Sequence, residues 1–403
     1  MKVWTKMEAW KRNLMVCWFC VLVISSGGSQ LAPILPLYVE HLGINNIARI
    51  EQWSGIAFGV TFISLAIFSP IWGSYADKYG RKPMLLRASL SLTVIMFCMG
   101  FAYNVYQFIF LRMLQGALSG FIAAAITLVA TQTPMSRAGW ALGIISTASV
   151  GGTLLGPLVG GFLAETLGLR SVFLSTGVLD LIAFIATYYY INENFTAAEK
   201  KTLNFNQIWK TIPNHGFFIA LCITTFVVQF ALMSIEPIIT VYISQLVPQS
   251  THIALISGIV FSASGLASVF AAPRLGRLSD KIGPPKIILV GLIVSGIIFF
   301  PQAFVGTAWQ LGILRFLLGL ATAGLLPAIN TLVKRSVPDS IVGRVFGYTQ
   351  SAQFLGVFGG SLVGGQVASL FGIHYVFFLT GALMLLSALL VYKTVYCWWY
   401  ALG

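Results

Sequence analysis

Twelve stretches of this chain are each long and apolar enough to cross a bilayer, and no water-soluble fold of 403 residues could hide them. A hydrocarbon core about 30 Å thick takes roughly 20 apolar residues of helix. Runs at 14–39, 53–74, 84–103, 106–131, 140–164 and 171–191 meet that length, and so do runs at 217–246, 252–279, 286–307, 309–333, 343–368 and 373–395. Their length predicts helices, because barrel strands alternate polar and apolar residues over about ten positions. Charged residues make up 9% of the chain and hydrophobic residues 57%, against about 25% charged in a soluble domain. The fold class expected is an all-α membrane protein.

The net charge of +13 first suggests a nucleic-acid partner, but the placement of the basic residues excludes it. Apart from Arg112 and Arg315 inside spans, every Lys and Arg except Arg49 and Arg170 falls on one side of a twelve-span layout. That bias marks the cytoplasmic side and puts both termini there. The basic residues then serve topology and lipid headgroups, and no basic patch with stacking aromatics remains for DNA or RNA. No small-residue cleavage site follows the first apolar run, so span 1 reads as retained. Cys17, Cys20, Cys98, Cys222 and Cys397 lie in or beside apolar runs and read as small core residues. Cys17-x-x-Cys20 has redox spacing without the βαβ setting that redox chemistry uses. The one long polar stretch, 192–216, reads as a linker between halves 1–191 and 217–403, with a short surface helix around Phe205 to Lys210.

The halves are copies. Gly73, Asp77 and Gly80 return 203 residues later as Gly276, Asp280 and Gly283. At offsets of 203 or 204, Arg112 and Gly116 match Arg315 and Gly319; Gly152, Gly156 and Gly160 match Gly356, Gly360 and Gly364; Pro33 and Tyr38 match Pro237 and Tyr242. Six spans per copy is an even number, so both copies share one orientation. They should be related by an axis along the membrane normal, with a pathway between them. One chain already holds both halves, which implies a monomer.

Three motifs make the chain resemble the major facilitator superfamily, over essentially its whole length. Gly73-x3-Asp77-x2-Gly80-Arg81-Lys82 is similar to the family's loop between spans 2 and 3. Leu111-Arg112-x2-Gln115-Gly116 is similar to its span 4 motif, and Gly152-x3-Gly156-Pro157-x2-Gly160-Gly161 to the antiporter motif of span 5. The pattern most resembles the twelve-span drug:proton antiporters, in particular bacterial multidrug efflux proteins. The resemblance implies two six-helix bundles in a bacterial inner membrane, alternating access, and export of amphipathic drug-like compounds in exchange for protons. A same-fold carrier of a metabolite or siderophore, in either direction, is the alternative.

Charges inside the membrane are expensive and therefore informative. Four are expected there: Arg112, Asp180, Glu236 and Arg315. Glu236 precedes Pro237 in span 7, where a bent helix could face substrate; span 1 has Ala32 at the matching place. Burial disfavours a charged carboxylate, which makes Glu236 a candidate to bind a proton or a cationic compound, with a structural polar pair as the alternative. Asp180, about midway along span 6, is a second candidate. The resemblance implies a role in proton transfer for Arg112; an arginine stays protonated, so it would act through its charge on a carboxylate. A structural role is expected for Arg315.

Gln30, Tyr38, Phe226, Gln229, Phe230, Tyr242, Asn330, Gln350 and Gln353 could line a cavity or join helices. Asp77 is expected to latch span 2 to the start of span 11, where a helix N-terminus favours a carboxylate. Asp280 would act likewise toward span 5, near Arg137. Arg81 and Lys82 are assigned to topology. The glycines of span 5 form a packing stripe, and Pro157 favours a hinge there. His41, His215, His252 and His374 fall at span ends and are expected not to cluster with cysteines or carboxylates, so no metal or cofactor is expected. No Walker loop is present, so the energy source should be a gradient.

Overall fold

The computed structural model describes residues 8–134, 137–193, 195, 209–338 and 341–396. Much of the 192–216 linker, including residues 205–208 of its expected surface helix, and Cys397 lie outside the described residues; residues 209–211 are helical. Twelve membrane-length spans are present. Eight are single helices: span 2 (Ile47–Tyr79), span 3 (Arg81–Gly100), span 5 (Ala138–Leu167), span 6 (Leu169–Tyr190), span 8 (Ile253–Ile282), span 9 (Pro284–Gln302), span 11 (Val342–Phe371) and span 12 (Ile373–Val391).

The other four are broken, and they are spans 1, 4, 7 and 10. Span 1 divides at Gln30 into Ala9–Ser29 and Leu31–His41. Span 7 divides at Glu236–Ile238 into His215–Ile235 and Ile239–Leu246. In both, a proline (Pro33, Pro237) lacks the N–H that would close the preceding turn. Span 4 divides at Gly120, whose φ of +114° suits only glycine, into Val105–Leu118 and Phe121–Gln132. Span 10 divides at Gly324 into Ala308–Thr322 and Leu325–Ser336.

Several helices begin earlier than the apolar runs suggested, because polar caps lie upstream of them. The side chain of Asn46 accepts from Arg49 N, so span 2 starts six residues before its expected limit. Asn104, Asn214 and Thr307 cap spans 4, 7 and 10 in the same way.

Packing repeats the sequence duplication. Spans 1 and 5, 2 and 4, and 3 and 6 pair in the first half; spans 7 and 11, 8 and 10, and 9 and 12 pair in the second. The halves meet through two seams, span 2 on span 11 and span 5 on span 8. Small residues make the close approaches. A Cβ added to Gly116 would stand 1.9 Å from Thr61 O, and one on the matching Gly319 would stand 2.3 Å from Ser264 O. The stripe of span 5 packs on span 1: a Cβ on Gly152 would meet Leu22 O, one on Gly156 would meet Ser26 O, and one on Gly160 would meet Gln30 O. Span 5 runs as one helix through Pro157, so the interruptions of the fold fall in spans 1, 4, 7 and 10 rather than at that proline.

Candidate functional site

The two seams close only on the side away from the termini. There, a Cβ on Gly55 would stand 2.3 Å from Ser361 O, one on Gly161 2.5 Å from Ala254 O, and one on Gly258 2.4 Å from Pro157 O. Ser262 Oγ donates to Leu154 O at 2.9 Å across the second seam. Toward the termini the same four helices separate. Gly73 on span 2, Gly139 and Gly143 on span 5, Gly276 on span 8 and Gly347 on span 11 all face open space. The molecule is therefore sealed at one face and open between its halves at the other.

Glu236 lies in the break of span 7, half-buried, in a run of three turn residues before the helix resumes. Its electrostatic partner is Arg315, in span 10. Arg315 is 5% exposed, and its Nε and Nη2 have no hydrogen-bond partner. The two influence each other electrostatically without forming an ion pair within 4 Å.

Arg112, its counterpart, has two of its three nitrogens bonded. Its Nε donates to Ala57 O at 3.0 Å, its Nη1 donates to Gln115 Oε1 at 2.6 Å, and the guanidinium lies over Phe58. The difference has a sequence cause: the position matching Gln115 is Leu318. Asp180 is fully buried in span 6 with Oδ1 unpartnered, and it forms no ion pair with Arg112.

The expected cavity set divides. Tyr38 is enclosed among Phe108 and Phe173 and donates to Met99 O; Tyr242 packs on Phe377 and donates to Gln302 O at 3.0 Å. Both hydroxyls tie a broken span to its own bundle, so neither tyrosine faces the opening. Gln30 is also buried, bonded to Thr176 of span 6. Phe226, Gln229 and Phe230 on span 7, Asn330 on span 10, and Gln350 and Gln353 on span 11 keep partial or full exposure. Gln350 donates to Gln353 at 2.7 Å, and Phe226 and Phe230 form a tilted pair.

The turn between spans 2 and 3 is built differently from its expected latch. Asp77 is exposed and ion-paired to Arg81, one turn on, and not to span 11. Asp280 and Arg137 are both exposed, with Arg137 lying over Trp10. Gly80 makes the corner at φ +94°. Arg81 N and Lys82 N, the first donors of span 3, are both taken by the Glu193 carboxylate at 2.8 and 2.7 Å. Lys82 Nζ donates to Tyr188 O.

Two further acidic features were missed in the sequence. Glu51 is 4% exposed at the sealed end of span 2; the Asn46 cap was the signal that placed it on the helix. Glu165 on span 5 contacts His252, which precedes span 8, so one histidine does meet a carboxylate, across a seam. Sequence separation of 87 residues hid that pair. Beside it, a cleft of about 680 Å³ opens between the halves, lined in part by Glu40, His41, Glu165 and His252.

A family model described as Major Facilitator Superfamily matches residues 17–248 and 221–397. The chain is 43% identical over 395 residues to a protein of Serratia proteamaculans (strain 568) named Multidrug resistance protein MdtG, covering 98% of this chain and 95% of that one. The protein of the same name from Klebsiella pneumoniae (strain 342) is 45% identical over 386 residues, 96% of this chain and 93% of that one. Among solved structures, a bacterial homolog of the human lysosomal transporter Spinster, in an inward-facing and occupied conformation, superposes with a TM-score of 0.81 at 13% identity, over 96% of this chain and 97% of that one. The human organic anion transporter MFSD10 gives 0.71 at 18% identity, over 96% of this chain and all of that one. These two structures bear on the fold alone.

Proposed function

Because the chain belongs to the Major Facilitator Superfamily, we propose that it exports amphipathic, drug-like compounds in exchange for protons, by alternating access between its two halves. The observation that carries this reading is the one-sided closure. Glycine seams seal the face away from the termini, while the same four helices stand apart at the other face. The charge bias of the loops puts the termini in the cytoplasm, so this is the state that loads substrate from inside. The drug-like substrate follows the name of the relatives, Multidrug resistance protein MdtG.

Glu236 is the residue on which proton and substrate compete in this reading. It lies at an unwound turn, where backbone irregularity is tolerated only beside a cavity or buried in protein. Arg315 faces it with free donors, so the pair can tighten when the carboxylate is ionised and relax when it binds a proton. Phe226, Gln229, Phe230, Asn330, Gln350 and Gln353 offer the apolar and aromatic wall that amphipathic compounds require, with a few amides for orientation. Asp77 is free to reach span 11 once the open face closes, because its present partner, Arg81, is on its own turn.

Everted membrane vesicles loaded by dye binding test the reading. A fluorescent organic cation should accumulate when a proton gradient is imposed and leak back when it is collapsed. Glu236→Gln should abolish the gradient-driven step while leaving gradient-independent exchange. Accumulation that ignores the gradient would refute proton coupling.

A further inference from the structure

Glu51 is a buried carboxylate that the span 7 site does not use. It lies one turn into span 2 and is 4% exposed. Its own backbone forms the seam with span 11: Glu51 O stands 2.7 Å from where a Cβ on Gly365 would be. One turn deeper, Gly55 approaches Ser361 O. Gln52 Nε2 donates to Gln366 Oε1 at 3.3 Å across the same contact. Small residues and a neutral amide pair close this seam, and Glu51, itself 4% exposed, belongs to it.

Among the described residues, no cation lies within ion-pair distance of it. Span 11 carries Arg344 and Tyr348 as its ionisable groups, both at the opposite end. In the outer part of span 1, Tyr38 is bonded to Met99 O, His41 stacks on Tyr38, and Glu40 is exposed. Span 4 offers Tyr106, edge-on to Trp53, and Arg112, held by Ala57 O and Gln115. Span 7 offers Tyr242, bonded to Gln302 O, and Glu236, facing Arg315. Arg49, on span 2 itself, is exposed. Among the described residues, none of these groups forms an ion pair with Glu51.

An ionised carboxylate enclosed without a partner loses its hydration and receives nothing in exchange. Parting of the seam returns the same group to water at the sealed face. We propose that Glu51 is a second proton-binding site, distinct from Glu236, that gates the outer seam: the seam closes only when Glu51 holds a proton. The inference rests on the alternating-access reading. The proton enters from water on the outer side as the seam closes and returns to that side as it opens, so Glu51 moves no net charge across the membrane. It sets the closing equilibrium by outer pH.

Spin labels at Ile47→Cys and Leu370→Cys, both exposed at neighbouring ends of spans 2 and 11, read the seam directly. The full chain is used, with its native cysteines replaced by alanine. The label distance should be short at acid pH, and a long-distance population should grow at alkaline pH. For a single proton the open-to-closed ratio changes by about tenfold per pH unit. Glu51→Gln should stay short at every pH, and Glu51→Asp should restore the response. In oriented vesicles of the labelled chain with Glu51 intact, outer pH and not inner pH should move the distance. A response to inner pH alone, an absent response, or an unchanged profile in Glu51→Gln would overturn the gate. Loss of the response in His252→Gln with Glu51→Gln unaffected would also overturn it, by moving the switch to the other seam. The readout does not depend on export: an intact seam response without gradient-driven dye transport would refute the proposed function and leave the gate standing.

Discussion

Arg112 and Arg315 occupy matching places in the two halves, each followed by a glycine four residues on. Behind each, a glycine one turn on lets the helix press against a neighbour's backbone: Gly116 on Thr61, Gly319 on Ser264. Yet Arg112 is closed within its own half by Ala57 O and Gln115, whereas Arg315 keeps two nitrogens unfilled and faces Glu236. Two substitutions between the repeats account for this. Leu318 stands where the first half has Gln115, and Glu236 stands where it has Ala32. The lesson is that duplication preserved the packing frame and allowed the chemistry to concentrate in one copy.

The most forceful way to break that comparison is Glu236→Gln. Glu236 and Arg315 stand beyond ion-pair distance, so the loss should fall below that of a fastened buried pair, at about 1–3 kcal/mol. A thermal-denaturation series in detergent should show this loss, and the companion Arg315→Leu should recover most of it without restoring gradient-driven export. If Glu236→Gln is as stable as the parent chain, the two groups do not support each other.

Overpacking should affect both halves alike. Gly116→Leu and Gly319→Leu each push side-chain atoms into a neighbouring backbone, at about 1–3 kcal/mol or more. Equal drops in melting temperature would confirm that the frame is shared; a silent substitution in either half would break the symmetry. A finer test exchanges the partners. Gln115→Leu leaves one buried donor of Arg112 unfilled, at about 1–3 kcal/mol, while Leu318→Gln gives Arg315 an amide of its own. The second change should weaken its hold on Glu236 and shift the pH profile of dye export.

The smallest effect expected is at the start of span 3. Glu193 takes the N–H groups of Arg81 and Lys82, and the matching residues of span 9 are Pro284 and Pro285, which have no N–H to satisfy. Glu193→Gln should therefore cost about 1 kcal/mol through the cap. Pro284 and Pro285 offer no N–H for an equivalent cap, and hydrogen exchange at the start of span 3 would report the loss of this one.

Twelve spans, two halves and their like orientation were legible in the residues, because run length and loop charge are local properties that need no tertiary contact. The family was legible too, since Asp77, Arg112 and Gly156-Pro157 lie within short motifs. Glu236 was legible because it interrupts an apolar run beside a proline. Side-chain direction was not. Tyr38 and Tyr242 have the composition of a cavity wall, but hydroxyls in an apolar bundle must find acceptors, and those acceptors lie on spans 3 and 9. Glu193, Glu165 and Arg315 were unreadable for a related reason: each acts on a residue 79 or more positions away, and sequence carries no sign of which distant donor stays unfilled. The chain alone determined what must be buried in lipid and how many times it crosses. Only the tertiary structure decided which charges are quenched, which are left open, and at which face the halves meet, because those depend on close approaches between helices that glycine permits but does not direct.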